Sequence, residues 1–482
     1  MALWAALCLL VVGSCNCKDV ADPYETARSR LRPKIPGTNH RRLFSGRTFP
    51  DGPSVTRACL ECHPNAAGEI MQTSHWLWVG EEEIVPGRSE PVRIGKRNLI
   101  NNFCLGIESN WPKCTICHAG YGWKDATFDF CRKDLVDCLV CHDRSGQYAK
   151  GDAGLPSQGS DLLEAAKSVG RPGRDNCGAC HFAGGGGDAV KHGDLDGSLV
   201  RPIERLDVHM GGRDFECTEC HRTSRHRIAG RMISVSATET LTIGCSDCHT
   251  EAPHRNGRLN AHVQALACQT CHLPEVARLR PTKVAWDWST AGLDIPGADS
   301  HEYLKIKGSF IYVRRLVPEY RWFNGNVARY LKGDTIQPDR VTELNRPLGD
   351  IHDPRARIWP FKVHRGKQPY DLEYRVLLVP KTIGPDGYWT TFDWERSLTL
   401  GSEASGLPFS GRFGFAETEM VYNLTHMVAP KEQALVCTDC HSEAGRMNFV
   451  ALGYPGDPAV MGGRRTYRFV RQRGVAAPEP AL

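Results

Sequence analysis

The sequence predicts short helices and loops wrapped around covalently attached groups, joined to a mixed, loop-rich domain with short strands that carries none of those groups. Three observations predict it. The pentapeptide Cys-x-x-Cys-His occurs eight times in 482 residues. Seven of the eight crowd between Cys59 and His272, about one per 30 residues, which leaves little room for conventional secondary structure. From about 276 to 430 the motif is absent. There, aromatic and β-branched runs such as Phe310-Ile-Tyr-Val313 and Tyr374-Arg-Val-Leu-Leu-Val379 stand between Gly, Pro and Asp clusters, as short strands and turns do.

Taken from the N-terminus, Met1–Val12 is an apolar run followed by small residues, the pattern of a secretory leader, although no Lys or Arg precedes it. It is too short to span a bilayer as a permanent helix. Val12-Gly-Ser-Cys15 resembles a lipobox, which would place a lipid anchor on Cys15; plain signal-peptidase cleavage is the alternative. Either way the mature protein is expected outside the cytoplasm, in the periplasm, with the signal segment spanning 1–17. Residues 18–55 read as a polar, Arg- and Pro-rich lead-in, 56–275 as a seven-motif domain and 276–430 as a motif-free domain shaping a cleft. The eighth motif occupies 431–450, and 451–482 is a tail. Asp161–Val169 predicts a helix. Gly184–Gly187 predicts a loop, and without Gly-Lys-Ser/Thr it is no phosphate-binding loop. Lys+Arg 60 against Asp+Glu 55 gives a formal +5, too balanced to point to nucleic acid. The apolar fraction, 41%, falls a little short of the globular average, so side chains alone do not promise a large core.

The motifs are Cys59-Leu-Glu-Cys62-His63, then Cys114, Cys117 and His118; Cys138, Cys141 and His142; Cys177, Cys180 and His181; Cys217, Cys220 and His221; Cys245, Cys248 and His249; Cys268, Cys271 and His272; and Cys437, Cys440 and His441. Random placement would give ~0.04 such pentapeptides. A bare Cys-x-x-Cys reads as a redox dithiol or half a zinc site, and neither explains a histidine following every time. Two thiols three positions apart meet the two vinyl groups of one haem, and the next residue lies under the iron as its imidazole ligand. Eight covalently bound haem c groups are therefore expected, the porphyrins forming much of the core.

Each low-spin iron takes a second axial ligand, and 19 histidines provide enough for eight pairs. A lone histidine is more often core or surface than ligand, but haem density raises the odds near motifs. His75, His192, His209, His226, His254, His262 and His426 are chosen as distal ligands, leaving His40, His301 and His352 as spares. A row of haems conducts electrons, so the bland function is an electron-transfer cytochrome with no substrate. The motif-free domain is large for a wire and natural for walling a substrate cleft. Cys104 and Cys131 also stand outside the motifs, as a disulfide or as a reactive thiol.

The segment Cys177-Gly-Ala-Cys-His181-Phe-Ala-Gly-Gly-Gly-Gly-Asp188-Ala-Val-Lys191-His192-Gly-Asp-Leu-Asp196 resembles the octahaem tetrathionate reductase family. So do Pro318–Gly325, Pro360–Asp371 and the grouping of seven motifs, a gap and one more, over about residues 55–445. The resemblance implies a catalytic haem on Cys114 and Cys117 whose iron takes a lysine from outside its motif, matching Lys191. It also implies Cys104 and Asp188 as active-site cysteine and aspartate. An amine ligand must be deprotonated, so burial and the iron must lower its pKa. His118 is either displaced by Lys191 or shares the axis with it.

The activity the resemblance implies is reduction of small inorganic substrates: tetrathionate, and also nitrite and hydroxylamine. His364 and Asp188 are candidate proton donors, and Lys362, Arg365 and Lys367 could attract the anion or could serve internal salt bridges. Cys104 could take part in S–S cleavage by thiol–disulfide exchange. Electrons would come from a quinol-linked or small cytochrome donor. A calcium ion near the site is kept as a candidate, though no loop requires it. Two alternatives stand beside the reductase: a pure wire with eight low-spin haems, and oxidation of hydroxylamine or hydrazine. The latter commonly relies on a tyrosine cross-link from a long C-terminal helix, and no such helix is apparent after His441. Cys-x-x-Cys-Lys, the mark of pentahaem nitrite reductases, is absent.

Overall fold

A computed structural model describes residues 38–102 and 106–464. The expected signal segment with Cys15, most of the polar lead-in, Cys104 and the end of the tail lie outside the described residues.

The attachment motifs ride on single helical turns because positions i, i+3 and i+4 of a helix share one face, where both thiols and the imidazole are needed. His63, His142, His221, His249 and His441 each donate a backbone N–H to the carbonyl of the first motif cysteine at 2.8–3.1 Å. His181 and His272 close the helices Arg174–His181 and Cys268–His272. The second motif departs from this. Trp111–Cys114 ends in a 3₁₀ turn at Thr115–Cys117, and His118 is extended (φ −71°, ψ 138°), its N–H bonded to Thr115 rather than Cys114. The expected helix is present as Leu162–Lys167, with Asp161 capping the Glu164 N–H.

Four short strands pair as hairpins in the haem region: β1 (Glu82–Glu83) with β2 (Val92–Arg93), and β3 (Thr223–Ser224) with β4 (Arg227–Ile228). The main sheet uses β5 (Thr282–Asp287), β6 (Tyr303–Leu304), β7 (Gly308–Val313), β8 (Glu319–Phe323), β9 (Val327–Arg329), β10 (Thr342–Pro347), β11 (Arg357–Asp371) and β12 (Phe413–Asn423). Its order is β6-β7-β5-β11-β12-β10-β9, with β8 also on β11; β5–β11 and β10–β12 are parallel and the rest antiparallel. The sequence suggested short strands, yet β11 runs for 15 residues and pairs with β12 from Phe361↔Asn423 to Asp371↔Phe413. Charged residues in the Lys362–Lys367 stretch hide the strand, because both its faces are covered and simple alternation is lost. The reverse happens at Tyr374–Val379. Val376–Val379 is fully buried, but a turn capped by Asp371 precedes it, and it makes only isolated bridges to Thr335 and Tyr370.

Strand alternation divides the sheet between two cores. Trp359, Phe361, Val363 and Val421 join Phe323 and Val327 on one face. Met420 and Tyr422 face the opposite core, which includes Val190. Lys362 and His364 alternate with Phe361 and Val363, so they point to the Val190 side. No helix among the described residues is long and apolar enough to cross a membrane.

Candidate active site

The motif histidines show what the fold is built to hold. Seven of them stand across a gap from a second histidine: His63 from His40 (6.4 Å between ring centroids), His142 from His226 (6.4 Å), His181 from His75 (6.2 Å) and His221 from His426 (6.2 Å). His249 faces His209 (6.1 Å), His272 faces His254 (6.1 Å) and His441 faces His262 (6.3 Å). Two imidazoles on one iron require about 6.3 Å, the sum of two Fe–N bonds of about 2.0 Å and two ring radii. Several rings are also held with Nε2 left for the iron. Nδ1 of His40, His142, His221 and His262 bonds a backbone carbonyl at 2.8–2.9 Å. Nδ1 of His226, His426 and His441 bonds the carboxylates of Glu69, Asp194 and Asp457. The first seven motifs line one continuous cavity of about 3830 Å³, on the order of 550 Å³ per motif, the size of a pocket for one ligand of several hundred daltons.

Six of the seven histidines chosen from sequence, His75, His209, His226, His254, His262 and His426, take these positions. His192 does not. Its ring packs edge-on to Tyr422 at 5.2 Å with Nε2 buried and unpartnered, and burial drives its pKa well below the ordinary value. His40, set aside as a spare, takes the remaining place; it lies 23 residues ahead of His63, in a turn spanning His40–Arg47 that the polar composition disguised as linker. His301 and His352 sit exposed on loops.

The one remaining motif histidine, His118 of the second motif, is treated differently. Among the described residues no second imidazole stands over it. Its Nε2 bonds the Trp76 carbonyl at 2.9 Å, and Trp76, Trp123, Phe128 and Phe130 enclose its ring at 4.7–6.0 Å. Burial lowers its pKa to about 4, keeping it neutral. Lys150 fixes the loop that follows, donating to the carbonyls of His118 and Gly120 and pairing with buried Asp137 at 2.8 Å. Tyr121 and Tyr148 donate to the same carboxylate. The aromatic cage was visible as Trp123, Phe128 and Phe130 close behind the motif, but nothing in the sequence links it to His118.

Lys191 lines the same cavity, its amine enclosed beside Met232 Sδ (2.9 Å) and within electrostatic reach of Cys117. Burial, aided by Lys96, pushes its pKa down to about 7, the condition for an amine ligand. Lys96, which the sequence reading missed, also bears on His75, Cys117, His118 and His181 from the cavity wall.

The remaining candidates are occupied elsewhere. Lys362 is fully buried and spends three N–H groups on Val190 O (2.9 Å), Lys191 O (3.1 Å) and Thr282 Oγ1 (2.6 Å), so it cannot attract an anion. Arg365 lies in an ion-pair network with Glu319 and Glu419 that also includes Arg321. Lys367 is half-buried on β11, in register with Asp287 and Glu417. Asp188 is committed through both oxygens, to the Gly197 N–H (2.7 Å) and Arg280 (2.8 Å), and so is not poised as an acid. His364 is fully buried, and burial holds its pKa well below the ordinary range; it is no imidazolium donor near neutral pH. Its carbonyl receives Asn102, next to the undescribed Phe103–Leu105 that includes Cys104. Cys131 is exposed and unbridged. The described residues hold no cluster of three or more His, Cys, Asp or Glu side chains fit for a metal ion, so calcium gains no site from them.

Thiol pairs for vinyl groups, an imidazole beneath and a second imidazole opposite define a multihaem c-type cytochrome. A family model for bacterial cytochrome c matches residues 283–444. A solved structure of octahaem cytochrome c from Shewanella oneidensis superposes with a TM-score of 0.83 at 48% identity, covering 88% of this chain and 98% of its own. The chain belongs to that octahaem cytochrome c family. A search of curated protein sequences returns no match.

Proposed function

We propose that this protein is an exported octahaem reductase that feeds electrons to one open haem, on Cys114 and Cys117, where a small oxyanion or hydroxylamine is reduced. One observation carries the reading: seven motif histidines are matched by a second imidazole, while His118 of the second motif is held away and Lys191 lies half-buried beside that motif. Covalent haem would be held by the sixteen motif thiols, and when bound it supplies one-electron carriage and, at the second motif, an exchangeable position for substrate.

The chain's own residues do the rest. Neighbouring motifs touch through their thiols: Cys59 with Cys138, Cys117 with Cys180, Cys177 with Cys217, and Cys245 with Cys268. Cys141 feels Cys177, Cys220 feels Cys248 and Cys271 feels Cys440. That graph is a row of motifs 1-3-4-5-6-7-8 with the second branching from the fourth. With haems on every motif, electrons entering at either end would reach the branch through the fourth. The Trp76 carbonyl holds His118 Nε2 and the aromatic cage encloses its ring, so His118 would be withheld from a haem on Cys114 and Cys117 and shielded from water. Lys191, its pKa lowered by burial to about 7, would lose its proton near neutral pH and could then serve the iron as an amine ligand. Lys96 supplies the positive charge that draws an anion toward the second motif, the task Lys362 and Arg365 cannot perform. Tetrathionate, nitrite and hydroxylamine remain the substrate candidates, with a small cytochrome or quinol-linked donor upstream.

The test is reduced-viologen turnover on the three substrates with Lys191→Ala alongside. Turnover on at least one, falling by about a hundredfold or more in the variant, supports the reading. Unchanged rates in Lys191→Ala remove the lysine from the mechanism, and no turnover on any leaves an electron wire.

A further inference from the structure

We infer that Lys362 and Thr282, both in the haem-free sheet, are positioning residues that hold the backbone around Lys191 in the one register that presents its amine to the second haem. The inference rests on Lys191 being the axial ligand.

The segment Ala189–Gly193 has no regular structure of its own, and Ala189 lies in the left-handed region at φ +62°. Its carbonyls therefore need partners from elsewhere. The sheet region supplies every one. Thr282 Oγ1 lies 2.6 Å from Ala189 O and 3.1 Å from His192 O, and its single proton serves both. Lys362 Nζ takes Val190 O and Lys191 O. The Ala277 N–H takes Gly193 O at 2.7 Å. Lys362 then donates its third proton to Thr282 Oγ1 at 2.6 Å, so clamp and hydroxyl lock each other. Both side chains have 0% exposure.

An isolated buried lysine is costly, and burial is tolerated when every N–H is paired. Here all three are paired, and two go to the carbonyls of the two peptides that flank the Lys191 Cα. Strand alternation on β11 aims Lys362 at that point, while Thr282 opens β5, which is parallel to β11. Rotating the Val190–Lys191 peptide would break the bond from Lys362 to Val190 O, and rotating the Lys191–His192 peptide would break the bond to Lys191 O. The clamp thus converts a loop into a fixed mount for a long side chain, as buried partners orient ligands at other metal sites.

The experiment uses the holoprotein in four forms beside wild type: Lys191→Ala, Lys362→Met, Thr282→Val and Thr282→Ser. Near-infrared magnetic circular dichroism of the ferric protein reads the amine-ligated haem separately from the imidazole pairs, and hydrogen exchange reads the amides of residues 189–193. The clamp predicts that Lys362→Met and Thr282→Val lose most of the amine signature with the seven imidazole pairs intact. It also predicts that exchange in the segment quickens by about tenfold or more. Thr282→Ser, which keeps the hydroxyl, should retain the wild-type signature. If Lys362→Met fails to fold, the Thr282 pair decides the question alone. Full amine signature and unchanged exchange in Thr282→Val, with the signature lost in Lys191→Ala, overturns the clamp while leaving the ligand. A Lys191→Ala spectrum identical with wild type removes the Lys191 reading itself.

Discussion

Replacing His40 by alanine removes the imidazole that faces His63 across 6.4 Å and leaves the first-motif iron with one axial ligand. The structure sets the size of the effect. Seven facing pairs and one unmatched His118 give one ligand-accessible iron in eight, so dithionite-reduced wild-type protein should take up one carbon monoxide per chain. His40→Ala should take up two and double the Soret difference signal. His40 sits at the outer end of a turn; its ring bonds the Thr38 carbonyl and stacks on Phe44, and its backbone bonds to Leu43 and Phe44 survive in alanine, so the change should leave the remaining pairs and the fold intact. His192→Ala is the matched control: that ring faces Tyr422, and uptake should stay at one. Stoichiometric titration in a gas-tight cuvette reads the outcome. One carbon monoxide in His40→Ala, or two in His192→Ala, would refute the pairing drawn from ring geometry.

Three further outcomes follow from individual contacts. Asp457→Asn should raise the potential of the eighth haem by about 40 mV, because a charged hydrogen bond to His441 Nδ1 exceeds a neutral one by about 1 kcal/mol; spectroelectrochemistry reads it, and no shift would mean the carboxylate does not tune the ligand. Asp194 is buried, which opposes its charge, but the His426 ring and the Thr425 N–H outweigh burial and hold its pKa to about 2, below the ordinary 3.8. The unfolded chain therefore binds the extra proton between those values. The resulting stabilisation, about 2 kcal/mol, is complete above about pH 4 and lost as pH falls through 2. Acid unfolding followed by the Soret band should show this step in wild type and not in Asp194→Asn. Lys150→Met strands the buried Asp137 carboxylate and should cost about 3 kcal/mol, read as a lower thermal midpoint; an unchanged midpoint would show that the tyrosines alone satisfy Asp137.

The attachment chemistry was legible because it is local: thiols and imidazole within five residues fold onto one face of a single turn. The histidines that face the motifs were legible only as a population. His426 lies 205 residues beyond its partner His221, and nothing in the chain between them announces the pairing. Selection by density near motifs favoured His192, which adjoins Lys191, over His40, which lies in a polar stretch; burial against Tyr422 decided otherwise. The Lys362–Lys367 cluster read as groups to attract an anion or to form salt bridges, because its charges carry no mark of which one is buried. In the fold, Lys362 is buried on a central strand and serves carbonyls 171 and 172 residues away in sequence. The detachment of His118 depends on the Trp76 carbonyl, 42 residues upstream, and is invisible to any motif.

The central claim is that one iron, on Cys114 and Cys117, is tuned by an amine while seven are closed by paired imidazoles. A crystal structure of the holoprotein with data collected at the iron edge tests it most directly. The account predicts eight iron peaks, seven centred between the histidine pairs named above and the eighth within bonding distance of Lys191 Nζ. Eight irons each flanked by two imidazoles, with Lys191 unbound, would contradict it.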